Sequence, residues 1–475
     1  MDEKTIGISQ QTILNSQDGI ASGKKLIQYI ASLSATLGAL ASGMVLGWTS
    51  SAGNDDEGHN KIQVQYGFPI SEEEFSWIGS AAAIGSVVIS IPIGILTDVI
   101  GRKYSMLLMV VPFTIGWLLI IFANSVAMFY IGRFITGISV GAFCVVAPLY
   151  TAEIAENSIR GRLGSYFQLL LTVGILLSYV LGTLVNIRDL SIISAIMPLV
   201  FFGVFMFMPE TPIYYLKKGN KECARKSLIR LRGEQYDIDD ELQRHREGLE
   251  ESKNKKIPFL TLLKSRATLK GFIIAYGLMF FQQFSGVNTV IFYASDIFKS
   301  AGNSLKPEYS TILVGVMQVL AVFVSTLIID HLGRRILLLA SIIFLFLTSF
   351  ALGVYFYLHD NTDDTSSIEW LPLASICIFI IMFSLGFGPI PWMMMGEIFG
   401  PEVKGIASST ATLLNWVMVF IITKFYINLK EAIYESGTFW LFSVICAIGI
   451  FFVYFLVPET KGKSLEKIQM ELNDS

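Results

Sequence analysis

The sequence predicts an all-α membrane protein of twelve transmembrane helices, arranged as two six-helix bundles joined by a hydrophilic segment. Hydrophobic residues make up 53% of the 475 and charged residues only 15%, against roughly 25% charged in a soluble domain. Twelve mostly apolar stretches recur along the chain, each near the ~20 residues that cross a bilayer. Three short charged motifs also occur twice, in the same order, at offsets of 232, 244 and 249 residues.

The first six runs lie at 26–48, 75–96, 105–123, 127–150, 163–187 and 190–208, and the second six at 271–294, 310–329, 336–357, 370–396, 405–422 and 436–457. The first follows a polar tail, 1–25, and is followed by further spans, so it reads as a retained span rather than a cleaved signal. Residues 209–270 form the long hydrophilic segment. In KECARKSLIRLRG (221–233) and DDELQRHREGLEESK (239–253) apolar residues recur at three-to-four spacing among charges. That spacing favours short amphipathic helices over a loose basic linker, which would expose Leu228, Ile229 and Leu231. A tail, 458–475, closes the chain.

Charge placement sets the expected orientation. With both termini in the cytoplasm, 28 of the 35 lysines and arginines fall on that side, as basic residues do in membrane proteins. The outer loops SAGNDDEGHN and HDNTDDTSS are acidic. A net charge of −3 gives no reason to expect a nucleic-acid partner; the partners implied are the lipid bilayer and a small molecule. Cys144, Cys223, Cys377 and Cys446 read as small buried hydrophobes, and neither they nor the four histidines show metal-ligand spacing. No cofactor is implied, and no nucleophile clusters with a base, so an enzyme is not expected.

The duplicated motifs are DVIGRKYS (98–105) with DHLGRRIL (330–337), AEIAENSIRG (152–161) with GEIFGPEVKG (396–405), and PETP (209–212) with PETKG (458–462). Their shared order means two halves derived from one unit. Asp98 and Asp330 end the second and eighth runs, and a glycine permits the turn before each arginine. Arg102 and Arg334 are then expected near Glu153 and Glu397, with Arg160 and Lys404 completing the clusters and Glu210 and Glu459 joining them. Topology alone needs basic residues but no fixed carboxylates, so the repetition reads as two sets of interhelical ion pairs.

With GRFITG (132–137), QQFSGVNTVIFYA (282–294) and GFGPIPW (386–392), the ordered motifs resemble the sugar porter family of the major facilitator superfamily from Gly94 to Gly462. Within it, ETPIYYLKKGNKECARKSLIRLRG and FGPIPWMMMGEIFGPEVKG are similar to the insect facilitated trehalose transporter group. The resemblance implies the major facilitator fold, alternating access with the charge clusters as latches of the cytoplasmic side, and facilitated sugar transport across the plasma membrane. Trehalose is the substrate it favours, with glucose or another hexose as the alternative.

A sugar's hydroxyls donate and accept and its ring face is weakly apolar, so its site should carry amides and aromatic rings. The runs hold Gln168, Gln282, Gln283, Asn288, Gln318, Trp392, Asn415 and Trp416. Gln168, Gln282, Gln283 and Asn288 resemble the family's sugar-binding amides, Trp392 its stacking ring, and Phe292 and Tyr293 its outer-gate aromatics. Two departures bear on specificity: Ser384 stands where many hexose carriers have glutamate and Gln318 where many have asparagine; in addition, Ile213 stands where arginine is usual after PESP. Proton-coupled relatives carry an aspartate near the site of Thr49, which this chain lacks. A non-transporting sensor is disfavoured because only 13 residues follow PETKG.

Overall fold

The computed structural model describes residues 24–53, 60–156, 158–254, 266–302, 306–361, 366–399, 401–463 and 465–474. Those residues are almost wholly helical. The order is α1 (Leu26–Ser51), α2 (Lys61–Tyr66), α3 (Glu72–Ile89), α4 (Pro92–Ile100), α5 (Arg102–Leu108), α6 (Val110–Ile121), α7 (Val126–Ile154), α8 (Arg160–Leu184) and α9 (Ile187–Phe205). Then come α10 (Pro212–Lys217), α11 (Lys221–Arg232), α12 (Ile238–Asn254), α13 (Arg266–Phe284), α14 (Val287–Ser300), α15 (Pro307–Leu332) and α16 (Arg334–Asn361). The chain ends with α17 (Leu371–Leu385), α18 (Ile390–Ile398), α19 (Pro401–Leu456) and α20 (Leu465–Asp474).

Local chemistry explains where several helices begin. Ser71 and Glu74 form a reciprocal capping box on α3, whose first turn carries three glutamates against the positive end of the helix dipole. Thr211 caps α10 with Pro212 in its first turn, and Asn220 caps α11 on the Cys223 amide. Leu228 and Leu231 are fully buried, so the hydrophilic segment supplies packed amphipathic helices in its described part.

All twelve apolar runs fall on helical backbone. Nine helices among the described residues are long and apolar enough to cross a membrane, and a tenth arises if α3 and α4, bent by 53° ahead of Pro92, count together. The rest of the pattern is carried by interrupted helices. α13 and α14 break at Gly286, where φ is 92°, and α19 is one 56-residue helix divided at Tyr434, where φ is 62°. The sequence places a turn between 422 and 436, but the helix continues to Tyr434 and takes in Lys424. The expected closing tail is also helical in part, because Ile468 and Leu472 share one face and are buried.

Packing repeats between the two sets of helices. α1 packs on α8, α3 on α7, and α6 on both α7 and α9. Correspondingly, α13 packs on α19, α15 on α17, and α16 on both α17 and α19. Large apolar side chains such as Ile95, Phe202, Phe323 and Phe451 face outward, as a lipid solvent permits. Small residues let the helices touch. A Cβ on Gly137 would stand 2.0 Å from the Ala82 carbonyl oxygen across the α3–α7 crossing, so only glycine fits.

Gly137→Val therefore overpacks this crossing at a cost of about 1–3 kcal/mol and lowers the thermal midpoint of the purified protein. Gly94→Ala, where nothing lies within 4 Å, should leave the midpoint unchanged or raise it. Equal midpoints for Gly137→Val and the unaltered protein would show that this approach does not limit stability.

Candidate functional site

The centre of the site is built on two helix breaks. GFGPIP interrupts the α17–α18 run, because its prolines lack amide hydrogens and its glycines favour no helix. The carbonyls freed there need donors within the membrane-spanning part of the chain. Gln282 supplies them: its Nε2 donates to Phe387 O at 2.7 Å and Gly388 O at 3.0 Å. Its Oε1 accepts from Asn415 Nδ2 at 3.0 Å and from Gln283 Nε2 at 3.4 Å. Asn288 Nδ2 donates in turn to Gln283 Oε1.

Four of the amides singled out by sequence thus form one chain, from α19 through α13 to the start of α14. Each primary amide has two hydrogens and two lone pairs, so the chain leaves hydrogen-bonding capacity unused. Gln318 is buried on α15 and Gln168 half-buried on α8; neither side chain makes a hydrogen bond among the described residues. Trp392 is 38% exposed on α18, one turn past the break, whereas Trp416 is buried. Ser384 is buried on α17.

Beyond this cluster the two sets of helices meet. Tyr179 Oη donates to Ile291 O at 2.7 Å, and the Ser295 amide donates to Ser50 Oγ at 3.2 Å. Tyr293 is buried, donates to Thr423 O at 2.9 Å, and packs edge-on against Phe75 at 6.3 Å. Phe292 is buried beside it. Trp77 lies 5.9 Å from Phe420, and Lys61 pairs with Glu308 at 3.1 Å. All these contacts lie at the end remote from the Gly-Arg motifs.

Arg133 is wholly buried near that end. It donates to Ile78 O at 3.1 Å, Val45 O at 2.8 Å and Thr49 Oγ1 at 2.9 Å, and its guanidinium lies 5.2 Å from the Trp48 ring centre. The acceptors are neutral. Carbonyl dipoles and the ring face replace the hydration the cation has lost.

At the opposite end stand the charge clusters, one built on Arg102 and one on Arg334. Arg102 is 2% exposed and grips Glu153 Oε1 through Nη2 at 2.9 Å and Nε at 3.1 Å, with Asp98 at 3.3 Å. In the second half Arg334 holds Glu397 Oε1 at 3.0 and 3.2 Å. The second carboxylate differs in role from the first. Glu210 accepts from the amides of Lys103 at 2.9 Å and Thr211 at 2.8 Å, while Glu459 accepts from those of Arg334 and Arg335 at 3.0 and 3.1 Å. The glycine before each arginine has φ of 98° and 89°, and a Cβ there would meet the glutamate oxygen at 2.3 and 2.7 Å. Glycine is required twice over.

Burial pushes the Glu210 carboxyl above its ordinary value, against the pull of the Thr211, Lys103 and Arg102 amides. At Glu459 burial also pushes upward, but the amides of Lys461, Arg334, Arg335 and Thr460 prevail and hold the group below its ordinary value.

Arg160 is exposed and enters no ion pair among the described residues; the side chains of Asp330 and Lys404 lie outside the described part. Sequence reasoning missed the buried Arg232, which bridges Glu241 at 2.8 Å, Glu156 at 3.7 Å and Ile154 O and ties the hydrophilic segment to α7. It also missed Lys61 with Glu308, and Lys424, which is buried with its ammonium 4.9 Å from the Trp77 ring.

A polytopic helical fold with an amide-lined break and duplicated Gly-Arg clusters defines a membrane transporter of the major facilitator type. The chain belongs to the sugar (and other) transporter family, whose profile matches residues 29–472. It is 38% identical over 474 residues to a facilitated trehalose transporter Tret1 of Bombyx mori, covering 98% of this chain and 92% of the relative. It is 40% identical over 453 residues to that of Polypedilum vanderplanki, covering 94% and 88%. Among solved structures, the proton:xylose symporter XylE bound to 6-bromo-6-deoxy-D-glucose shares the fold with a TM-score of 0.78 at 24% identity, over 94% of this chain and 99% of that one. A partially occluded inward open XylE from E. coli gives 0.77 at 23% identity, over 92% and 99%.

Arg102→Ala leaves Glu153 buried without its cation, at a cost of about 3–5 kcal/mol, and should lower the thermal midpoint markedly. Arg246→Ala removes an exposed pair with Glu250 and should not change it. Equal midpoints would show that the buried pair contributes no more than a surface one.

Proposed function

We propose that this chain is a facilitative sugar carrier of the plasma membrane that works by alternating access and carries trehalose. The observation that carries the reading is the amide chain from Asn415 through Gln282 and Gln283 to Asn288, seated on the broken α17–α18 run. Its spare donors and acceptors match a polyhydroxylated ligand, with Trp392 as a stacking ring and Gln168 and Gln318 as further amides. The Bombyx and Polypedilum relatives, named as facilitated trehalose transporters, support trehalose over a hexose.

The chain crosses the bilayer twelve times, as α1, α3–α4, α5–α6, α7, α8, α9, α13–α14, α15, α16, α17–α18 and the two arms of α19. Both termini are cytoplasmic, in keeping with the basic residues. Bundles 26–208 and 271–457 rock about the site, with 209–270 as a cytoplasmic helical linker and 1–25 and 458–475 as cytoplasmic tails. The contacts between halves support an outer mouth closed by Phe292, Tyr293, Trp77 and the Lys61–Glu308 pair. At the inner mouth each latch braces the helix ends of its own half, so that the two ends present fixed surfaces when they close.

Transport is downhill. A proton-driven carrier needs a titrating group in the path, usually a buried carboxylate, and the hydroxyl of Thr49 occupies the place facing Arg133.

Purified protein in liposomes should take up labelled trehalose faster than labelled glucose, and an imposed proton gradient should not change the rate. Gln282→Ala should lower uptake roughly 10- to 100-fold, the loss of one to two buried hydrogen bonds, while folded protein is still recovered. Uptake by that variant at the unaltered rate and half-saturation would remove the site; accumulation that collapses with a protonophore would overturn uniport.

A further inference from the structure

A cavity of about 260 Å³ lies between the hydrophilic segment and the first half, lined by Lys103, Met208, Pro209, Glu210, Tyr215, Cys223, Lys226, Ser227 and Arg230. Cys223, Lys226, Ser227 and Arg230 recur at three-to-four spacing, so α11 turns one face into it. The chemistry of that lining is unbalanced. Lys103, from α5, makes no direct ion pair among the described residues: its ammonium lies 5.7 Å from the Tyr104 ring centre, attracted by Glu210 and repelled by Arg230, while Arg230 donates through Nη2 to the Phe207 carbonyl. Lys226 pairs with Glu222 at 2.7 Å, both side chains being exposed. Glu210, the one acid present, has both oxygens engaged by the Lys103 and Thr211 amides, and its carbonyl accepts from Ser227 Oγ. Among the described residues, the Lys103 ammonium, the remaining donors of the Arg230 guanidinium and the Tyr215 hydroxyl enter no ion pair.

We propose that this cavity is an anion site that takes a phosphate monoester, supplied by the headgroup of an anionic phospholipid. Several oxygens on one centre match a guanidinium and an ammonium together, and the cavity has room for a phosphate and the first carbons of its ester. The source follows from the mouth. Tyr104, next to Lys103, is 55% exposed, and Phe207 and Met206, next to Met208, are 65% and 44% exposed; these apolar side chains border the cations as acyl chains border a headgroup. Clusters of basic residues at a membrane boundary recognise such lipids. Because Lys103 follows Arg102, the bound phosphate would brace α11 against the Arg102–Glu153 cluster. The proposal is independent of which sugar is carried.

The test uses the full chain in nanodiscs of phosphatidylcholine with and without phosphatidic acid, with retained lipid read by native mass spectrometry. Phosphatidic acid should be retained over phosphatidylcholine by roughly tenfold or more. Arg230→Gln with Lys103→Gln should abolish that preference, Arg230→Lys should keep most of it, and Arg244→Gln, at an exposed pair with Asp240, should keep all of it. Inorganic phosphate that raises the thermal midpoint of the unaltered protein but not of the double variant, without lipid retention, would keep the site and overturn the lipid source. No preference for phosphatidic acid together with no phosphate effect would overturn the site, as would equal loss in Arg244→Gln.

Discussion

A chain dissolved in lipid has no water to satisfy its polar groups, and that constraint decides most of what is seen here. Wherever the helical ladder is interrupted, another side chain must supply donors or acceptors. The Gln282 amide does so at the α17–α18 break, and three carbonyl or hydroxyl oxygens do so for Arg133. The α17–α18 break therefore carries its own compensation, and the break at Gly286 lies beside the same amides, between Gln283 and Asn288.

The same constraint explains how the halves differ from their interface. Within each half, close glycine approaches and ion pairs hold helices together. Between the halves α3 packs on α19, α8 on α15 and α1 on α14, and the polar and ring contacts there include Tyr179 to Ile291, Ser295 to Ser50, Trp77 to Phe420 and Lys61 to Glu308. Bonds of that kind are each worth about a kcal/mol or less. Such bonds are weak beside the buried Arg102–Glu153 pair.

Much of this was legible in the sequence. Apolar runs gave the helices because length and composition suffice in lipid. Gln282, Gln283, Asn288 and Asn415 stood out as amides in apolar surroundings, and Arg102, Glu153, Arg334 and Glu397 as charges repeated in both halves. The partners across long separations were not legible: Lys61 and Glu308 are 247 positions apart, and no local pattern pairs them. Lys424 escaped because its charge marked a helix end, whereas its ammonium rests on the Trp77 ring and the helix runs on. Arg160 belongs to the repeated motif yet points to solvent, while Arg232, from the hydrophilic segment, makes the buried pairs on the α7 end. Charge spacing along a chain cannot distinguish these, because burial depends on what packs above.

The repeated clusters share a plan but not an environment, and the difference has a physical consequence. Arg102 and Glu153 are nearly sealed, with Glu153 Oε2 buried and unpartnered. The second-half pair is wetter: the Arg334 and Glu397 side chains are 11% and 27% exposed. The flanking acids follow suit, since burial raises Glu210 whereas backbone amides prevail at Glu459. A dry pair resists separation because parting it strands a charge, while water can replace a partner in a wet one. The first-half pair is therefore the harder to part, with an unpartnered acceptor in Glu153 Oε2 among the described residues, and the second-half pair the easier.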